Sequence, residues 1–307
     1  MITIIGAGKV GTSAAAFMML KELDDILLID IIPNKPQGEA LDLGHAASIL
    51  GISVDISGSN DFKDMAGSDV VVVTAGFPRK PGMTREELLS KNAGVIADIA
   101  EKIKEYAPNS IVLLTTNPLD AMTYVMYKKL GFPRERVIGF SGVLDAGRLA
   151  YYASKKLKVS PASIVPVVLG MHGQAMFPVP RLSTVLGVPL TELLSDEEIE
   201  DIRTQTVKAG ATITELRGYS SNYGPGAGLA VMVESIKRDQ KKAFIASAYL
   251  KGEYGFNDIV LEVPLVLGKS GIERILELPL TDEEKKGLAE SAAAVKKLID
   301  ALPEEFK

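Results

Sequence analysis

Ile2-Thr3-Ile4-Ile5-Gly6-Ala7-Gly8-Lys9-Val10-Gly11 opens the chain, and a helical pattern follows it from Lys9 to Leu23. A short β-rich run leading into G-x-G-x-x-G and then a helix is a strand, turn and helix in one stretch. Gly6 then permits the tight turn, Gly8 lets a pyrophosphate approach the backbone, and Gly11 lets helix and strand pack closely. The helix N-terminus would face the phosphates with free N–H groups and a positive dipole. Gly6, Gly8, Lys9, Val10 and Gly11 are therefore candidate cofactor contacts. Asp30 ends the next apolar run, 19 residues after Gly11. A carboxylate there binds ribose hydroxyls and repels a 2′-phosphate, which favours NAD over NADP. Asn34 and Lys35 are close enough in sequence to meet a 2′-phosphate, so NADP stays open as a secondary cofactor.

Outward from this motif, compact apolar runs recur at Ile26 to Ile29, Val70 to Val73 and Ile111 to Leu114, with helical patterns at Asn92 to Tyr106 and Leu119 to Leu130. Alternation of buried strands with helices predicts a doubly wound parallel α/β sheet of the Rossmann type over residues 1–142. Beyond that point the helices lengthen, at Leu144 to Leu157, Ser195 to Leu216, Gly226 to Leu250 and Thr281 to Leu302. Strand-like runs remain at Ile164 to Leu169 and Ile259 to Val266. Residues 143–307 therefore read as an α+β domain, expected to carry substrate and oligomer contacts. No linker or repeat separates the halves, which predicts an extensive interface and a ligand cleft between them.

Composition narrows the chemistry. The 307 residues include no cysteine and two histidines, His45 and His172, with net charge −5. Disulfides, catalytic thiols and cysteine-held metals are excluded, a multi-histidine zinc site is disfavoured, and no metal is expected. Splitting at residue 142 leaves 14 basic against 17 acidic residues before it and 20 against 22 after it. Neither half has the footprint of a nucleic-acid binder. No signal segment and no apolar run of membrane-spanning length are visible, so a cytoplasmic protein without membrane contact is expected.

Three further features carry chemistry. Gly76 to Arg85 follows a buried run and holds Arg79, Lys80 and Arg85 with no acidic residue between Val70 and Arg85. A basic surface loop and an anion-clamping lid both fit that pattern. Asp145 and Arg148 share a helix face, as either a salt bridge or part of a site. His172 lies in Leu169-Gly170-Met171-His172-Gly173-Gln174, flanked by glycines, whereas His45 sits in a helical stretch and reads as structural.

Taken in order, Gly6 to Gly11, Asp30, Arg79 to Arg85, Thr116-Asn117-Pro118-Leu119-Asp120, Gly142-Val143-Leu144-Asp145 with Arg148, and Met171-His172-Gly173 resemble the lactate/malate dehydrogenase family nearly end to end. The chain is most similar to the lactate-dehydrogenase-like malate dehydrogenases of archaea and many bacteria. The resemblance implies reversible NAD-dependent hydride transfer between (S)-malate and oxaloacetate, with a lactate or other 2-hydroxyacid dehydrogenase as the alternative. It implies His172 as general acid/base with Asp145 as its partner carboxylate. Arg148 matches the clamp on the C1 carboxylate, and Arg85 the group that polarises the reacting carbonyl. Asn117 matches a contact to substrate and nicotinamide, at a cis Asn117-Pro118 bond. Asn92 and Thr115 match cofactor-contacting positions. Arg79 stands where lactate dehydrogenases carry glutamine, and a guanidinium there would pair with the C4 carboxylate of oxaloacetate.

Departures from the family pattern are Gln174, where many relatives carry aspartate, and a run from Arg217 to Pro225 longer than usual. That run leaves the substrate-facing residue open between Ser220 and Ser221. Ala150 replaces the arginine of the sugar-phosphate-activated bacterial enzymes, which argues against such activation. The resemblance also implies a homotetramer built as a dimer of dimers. Glycoside hydrolases of related fold are disfavoured by the missing cysteine, and a binding protein without chemistry by the intact His172, Asp145 and Arg148.

Overall fold

The computed structural model describes residues 1–78 and 83–307, apart from the Arg85 side chain. Ten elements build the first half: β1 (Ile2–Ile5), α1 (Lys9–Leu20), β2 (Ile26–Ile29), α2 (Lys35–Leu50), β3 (Ile56–Ser59), β4 (Val70–Val73), α3 (Arg85–Tyr106), β5 (Ile111–Leu114), α4 (Leu119–Leu130) and β6 (Val137–Gly139). The strands lie parallel in the order β3-β2-β1-β4-β5-β6, with Ile2 beside both Ile26 and Val70. β1, β2, β4 and β5 are buried along their whole length. Helices cover both faces, which is why these strands read as continuous apolar runs. The order reverses between β1 and β4, so a crevice opens there beyond the strands' C-terminal ends.

The second half adds α5 (Gly142–Leu157), β7 (Ile164–Val165), β8 (Val168–Gly170), β9 (Met176–Pro178), β10 (Thr184–Val185), β11 (Val188–Pro189), α6 (Leu190–Leu193), α7 (Asp196–Arg217), α8 (Tyr223–Lys237), β12 (Lys242–Lys251), β13 (Asn257–Gly268), β14 (Gly271–Ile275) and α9 (Asp282–Asp300). β12 pairs antiparallel with β6, and the sheet continues through β13, β8 and β9, so one eleven-stranded sheet among the described residues crosses both halves. β7, β10 and β11 form a separate small sheet. α8 packs along α1, where a side chain at Gly226 would run into the Ser13 backbone.

The structure corrects three expectations. The single helix expected from Gly226 to Leu250 is α8 followed by β12, reversed at a turn in which Asp239 and Lys241 have φ 47° and 53°. β12 lies between β6 and β13, buried on both faces over most of its length, so its alanine-rich sequence shows no two-residue alternation. The run Ile164 to Leu169 divides at Pro166 into β7 and β8, which belong to different sheets. Proline removes a ladder donor there. α3 begins at Arg85 rather than Asn92, capped by Thr84, whose hydroxyl accepts from Glu87 N while Glu87 accepts from Thr84 N. Thr281 caps α9 in the same way, its hydroxyl accepting from Glu284 N while Glu284 accepts from Thr281 N.

Two of the motif glycines are steric necessities. Gly6 has φ +107°, and a methyl group there would sit 2.7 Å from both Ala75 N and Thr74 Oγ1. A side chain at Gly11 would collide with the Gly6 carbonyl. Gly6→Ala is expected to cost roughly 2–4 kcal/mol, combining a disfavoured left-handed backbone with overpacking. The expected result is a lower thermal midpoint at matched protein concentration; an unchanged midpoint would mean the turn relaxes freely.

Candidate active site

The crevice at the strand-order reversal is a cleft of about 520 Å³, bordered by Gly6, Gly8, Asp30, Lys35 and the loop after β4. Gly8 differs from its two companions, since a side chain there would meet nothing within 4 Å. This free approach to bare backbone, at the N-terminus of α1, is what a pyrophosphate requires. Asp30 leaves β2 with its carboxylate held by Ala7 N at 2.9 Å and Ile32 N at 3.0 Å. Lys35 Nζ reaches the same carboxylate at 3.3 Å. The residues present therefore fit a dinucleotide whose ribose meets Asp30. Lys9 lies beneath Tyr219, its Nζ 3.1 Å from the ring centroid. Arg217 stacks on Tyr219 and Tyr223, and Asn222 donates to Ser13, so the loop after α7 is tied down over the glycine turn.

A second cavity, of about 570 Å³, begins at Val10 and runs between the halves to His172. Thr115, Asn117, Arg148 and Gln174 line it, and so do both Ser220 and Ser221. The Asn117-Pro118 bond is cis, as expected. Asn92 is buried, and its amide is spent on Phe77 N, Phe77 O and Asn117 O. Asn92 thus braces the two loops that border the clefts. Arg79 lies outside the described residues, as does the Arg85 side chain.

At the inner end, α5 carries Asp145 and Arg148 one turn apart, and the loop after β8 carries His172. Asp145 is fully buried and joins the two: Oδ2 lies 2.7 Å from His172 Nδ1, and Oδ1 accepts from Arg148 at 2.8 Å. With Nδ1 engaged, Nε2 is the ring nitrogen left to exchange a proton. Arg148 uses one terminal nitrogen on Asp145, while its buried Nε has no partner among the described residues. Gly210 on α7 faces the guanidinium, and a methyl group there would make ordinary contact with it at 3.5 Å. Arg148 also lines the cavity, and a guanidinium that has committed one terminal nitrogen keeps donors for a carboxylate there. His45, by contrast, is exposed on α2.

Two buried carboxyls complete the surroundings, and neither was singled out from the sequence. Asp120 on α4 accepts from His172 N at 2.8 Å and from Ser247 Oγ at 2.8 Å. Burial drives its pKa up to about 6, against the pull of those bonds. Glu262 on β13 lies with Oε1 3.6 Å from His172 Nδ1, too far for a hydrogen bond. Burial and then Asp145 push its pKa up to about 8. For His172, burial favours the neutral ring, but Asp145 and then Glu262 outweigh it, and the pKa stands well above 6.5. Asp145, His172 and Glu262 bring their ligand atoms within 4.8 Å of one another, the spacing of a cation site. Both Asp145 oxygens and Nδ1 are already spent on one another and on Arg148, so the group is a charge network. The sequence signal for Glu262 was a lone acid inside the apolar run Ile259 to Val266.

Comparisons with known proteins agree with this geometry. Residues 1–139 match the lactate/malate dehydrogenase NAD binding domain, and residues 142–306 match the lactate/malate dehydrogenase alpha/beta C-terminal domain. The malate dehydrogenase of Aeropyrum pernix is 65% identical over 307 residues, covering all of both chains. That of Pyrobaculum calidifontis is 63% identical, covering all of this chain and 99% of its own. The solved structure of the Aeropyrum pernix malate dehydrogenase superposes with a TM-score of 0.97, covering 100% of this chain and 99% of that one.

Proposed function

The chain belongs to the lactate/malate dehydrogenase family and is an NAD-dependent malate dehydrogenase, and from that premise we propose how its own residues run the reaction. The observation that carries the proposal is the hydrogen-bonded unit of His172, Asp145 and Arg148 beside a cavity that Val10 of the glycine motif also lines. NAD supplies the acceptor and donor of the C2 hydride. Gly6, Gly8, Lys9, Val10, Gly11, Asp30, Asn92, Thr115 and Asn117 hold or brace it.

In malate oxidation, neutral His172 takes the C2 hydroxyl proton at Nε2, and Asp145 stabilises the resulting imidazolium while fixing the ring. In oxaloacetate reduction the same atom returns the proton. Arg148 anchors the C1 carboxylate through donors that Asp145 leaves free, which holds C2 in register with His172. By the family resemblance, Arg85 is the group that polarises the carbonyl where negative charge develops, and Arg79 the partner of the C4 carboxylate. Asn117, which lines the same cavity, orients the substrate. Steady-state kcat/KM for oxaloacetate and pyruvate, each with NADH and NADPH, tests the assignment. Oxaloacetate with NADH is expected to be the best pair. NADPH is expected to be used more weakly, since Asp30 repels a 2′-phosphate while Lys35 attracts it. A preference for pyruvate would overturn the malate reading, and equal use of both cofactors the role of Asp30.

We infer further that residues 1–142 form the cofactor domain and 143–307 the substrate domain, in a cytoplasmic enzyme of the tricarboxylic acid cycle. No helix among the described residues is long and apolar enough to cross a membrane. A homotetramer, a dimer of dimers, is supported by exposed apolar residues on two helices, Ile49 and Leu50 on α2 and Leu216 on α7. Sedimentation is expected to report four copies of the 32.8 kDa chain; a stable monomer would sink this reading.

A further inference from the structure

Glu262 is the one charged residue type inside the apolar course of β13 from Ile259 to Val266, and its side chain is fully buried. Its backbone lies opposite Ser247 of β12 and Gly170 of β8, with a strand on either side. Neither of its oxygens has a hydrogen-bond partner among the described residues. A buried carboxyl without partners is costly, and an apolar residue would serve packing better. Its surroundings are specific. α4 presents Asp120, α5 presents Asp145 with Arg148 on its far oxygen, and the loop after β8 presents His172. The neighbouring Ser247 hydroxyl is committed to Asp120. Arg148 is engaged with Asp145, and the cation that pairs with Glu262 is the imidazolium of His172, 3.6 Å away.

We propose that Glu262 is a positioning residue for proton transfer, a buried second carboxylate that ionises against His172 and holds it in the imidazolium form on the alkaline side. The inference rests on His172 being the acid/base. Between neutral pH and about 8 Glu262 keeps its own proton, and Asp145 alone supports the ring. Above that range Glu262 releases its proton to solvent, and the new carboxylate raises the proton affinity of His172. The two groups titrate as a pair, so each displaces the other's midpoint. Oxaloacetate reduction, which needs protonated His172, is thereby extended to higher pH. Malate oxidation, which needs the neutral ring, is pushed upward in parallel.

Glu262→Gln keeps shape and removes the ionisation. The alkaline limb of kcat/KM for oxaloacetate should move down by about 1–3 pH units, the size of an opposite-charge effect at this range. The acid limb of malate oxidation should move down with it. Limbs that stay in place overturn the proposal, since a purely structural role would change stability without moving them. A second measurement needs no change at Glu262. With only two histidines in the chain, carbon-13-labelled histidine gives two signals, and His45→Gln assigns them. In the native enzyme with NADH, the His172 signal is expected to titrate in two steps; a single step overturns the proposal. That titration reads the ring without turnover, so the two readings fail separately. Two steps in the native enzyme that become one in Glu262→Gln, with the limbs unmoved, would show the charge coupling but overturn His172 as the acid/base, and with it the role of Glu262 in proton transfer.

Discussion

His172→Asn is expected to lower kcat by roughly 10²–10⁴-fold in both directions, the usual contribution of a positioned general acid/base. Asparagine can still donate to Asp145, whose contacts to Arg148 are untouched, so the cavity should keep its shape. What is lost is a group able to hold and release a proton at the Nε2 position. NADH binding should change little, because the cleft at Gly8 and Asp30 contains no atom of His172. The check pairs steady-state turnover with a fluorescence titration of NADH. Turnover within tenfold of the native enzyme would assign the proton transfer to another group. A parallel loss of NADH affinity would show that the substitution had disturbed the fold.

Arg79→Gln is expected to turn the enzyme's preference toward pyruvate. Oxaloacetate brings a second carboxylate that a guanidinium can pair with, whereas pyruvate offers a methyl group and would leave the cation unpaired. Truncating one partner of such a pair costs about 2–5 kcal/mol, or roughly 30- to several-thousand-fold in kcat/KM. Glutamine should remove most of that advantage and relieve the penalty against pyruvate. The ratio of kcat/KM for oxaloacetate to that for pyruvate is the measurement; a ratio unchanged from the native enzyme would refute the role. Arg79 lies outside the described residues, and its role is the one the family resemblance implies.

The two predictions differ in what supports them, and the difference follows the chain. The nucleotide half was legible because its signals are local. β1, β2, β4 and β5 have the bounds their apolar runs predicted, and α4 likewise. Gly6, Gly8 and Gly11 were read from a turn only a few residues long. Where local signals were weak, elements went unread: β3 carries a single large apolar residue, Ile56, and β6 has only three residues. β12 was misread because a strand between two others has no exposed face to imprint polarity on its sequence.

By itself, then, the sequence determined the class of fold, the cofactor turn with its acidic partner, and His172 as the histidine placed for chemistry. Each depends on residues close together along the chain or on counts that exclude alternatives. Only the tertiary structure decided how those residues act on one another. It joins Arg148 to His172 through the two oxygens of Asp145, turns Asn92 into a brace between loops, and brings Asp120 from α4 to the backbone of His172 and Glu262 from β13 to its ring. The physical reason is that turn geometry and hydrophobic period are short-range properties. A proton affinity is set by every charge within a few ångströms in a buried site, whatever its distance along the chain.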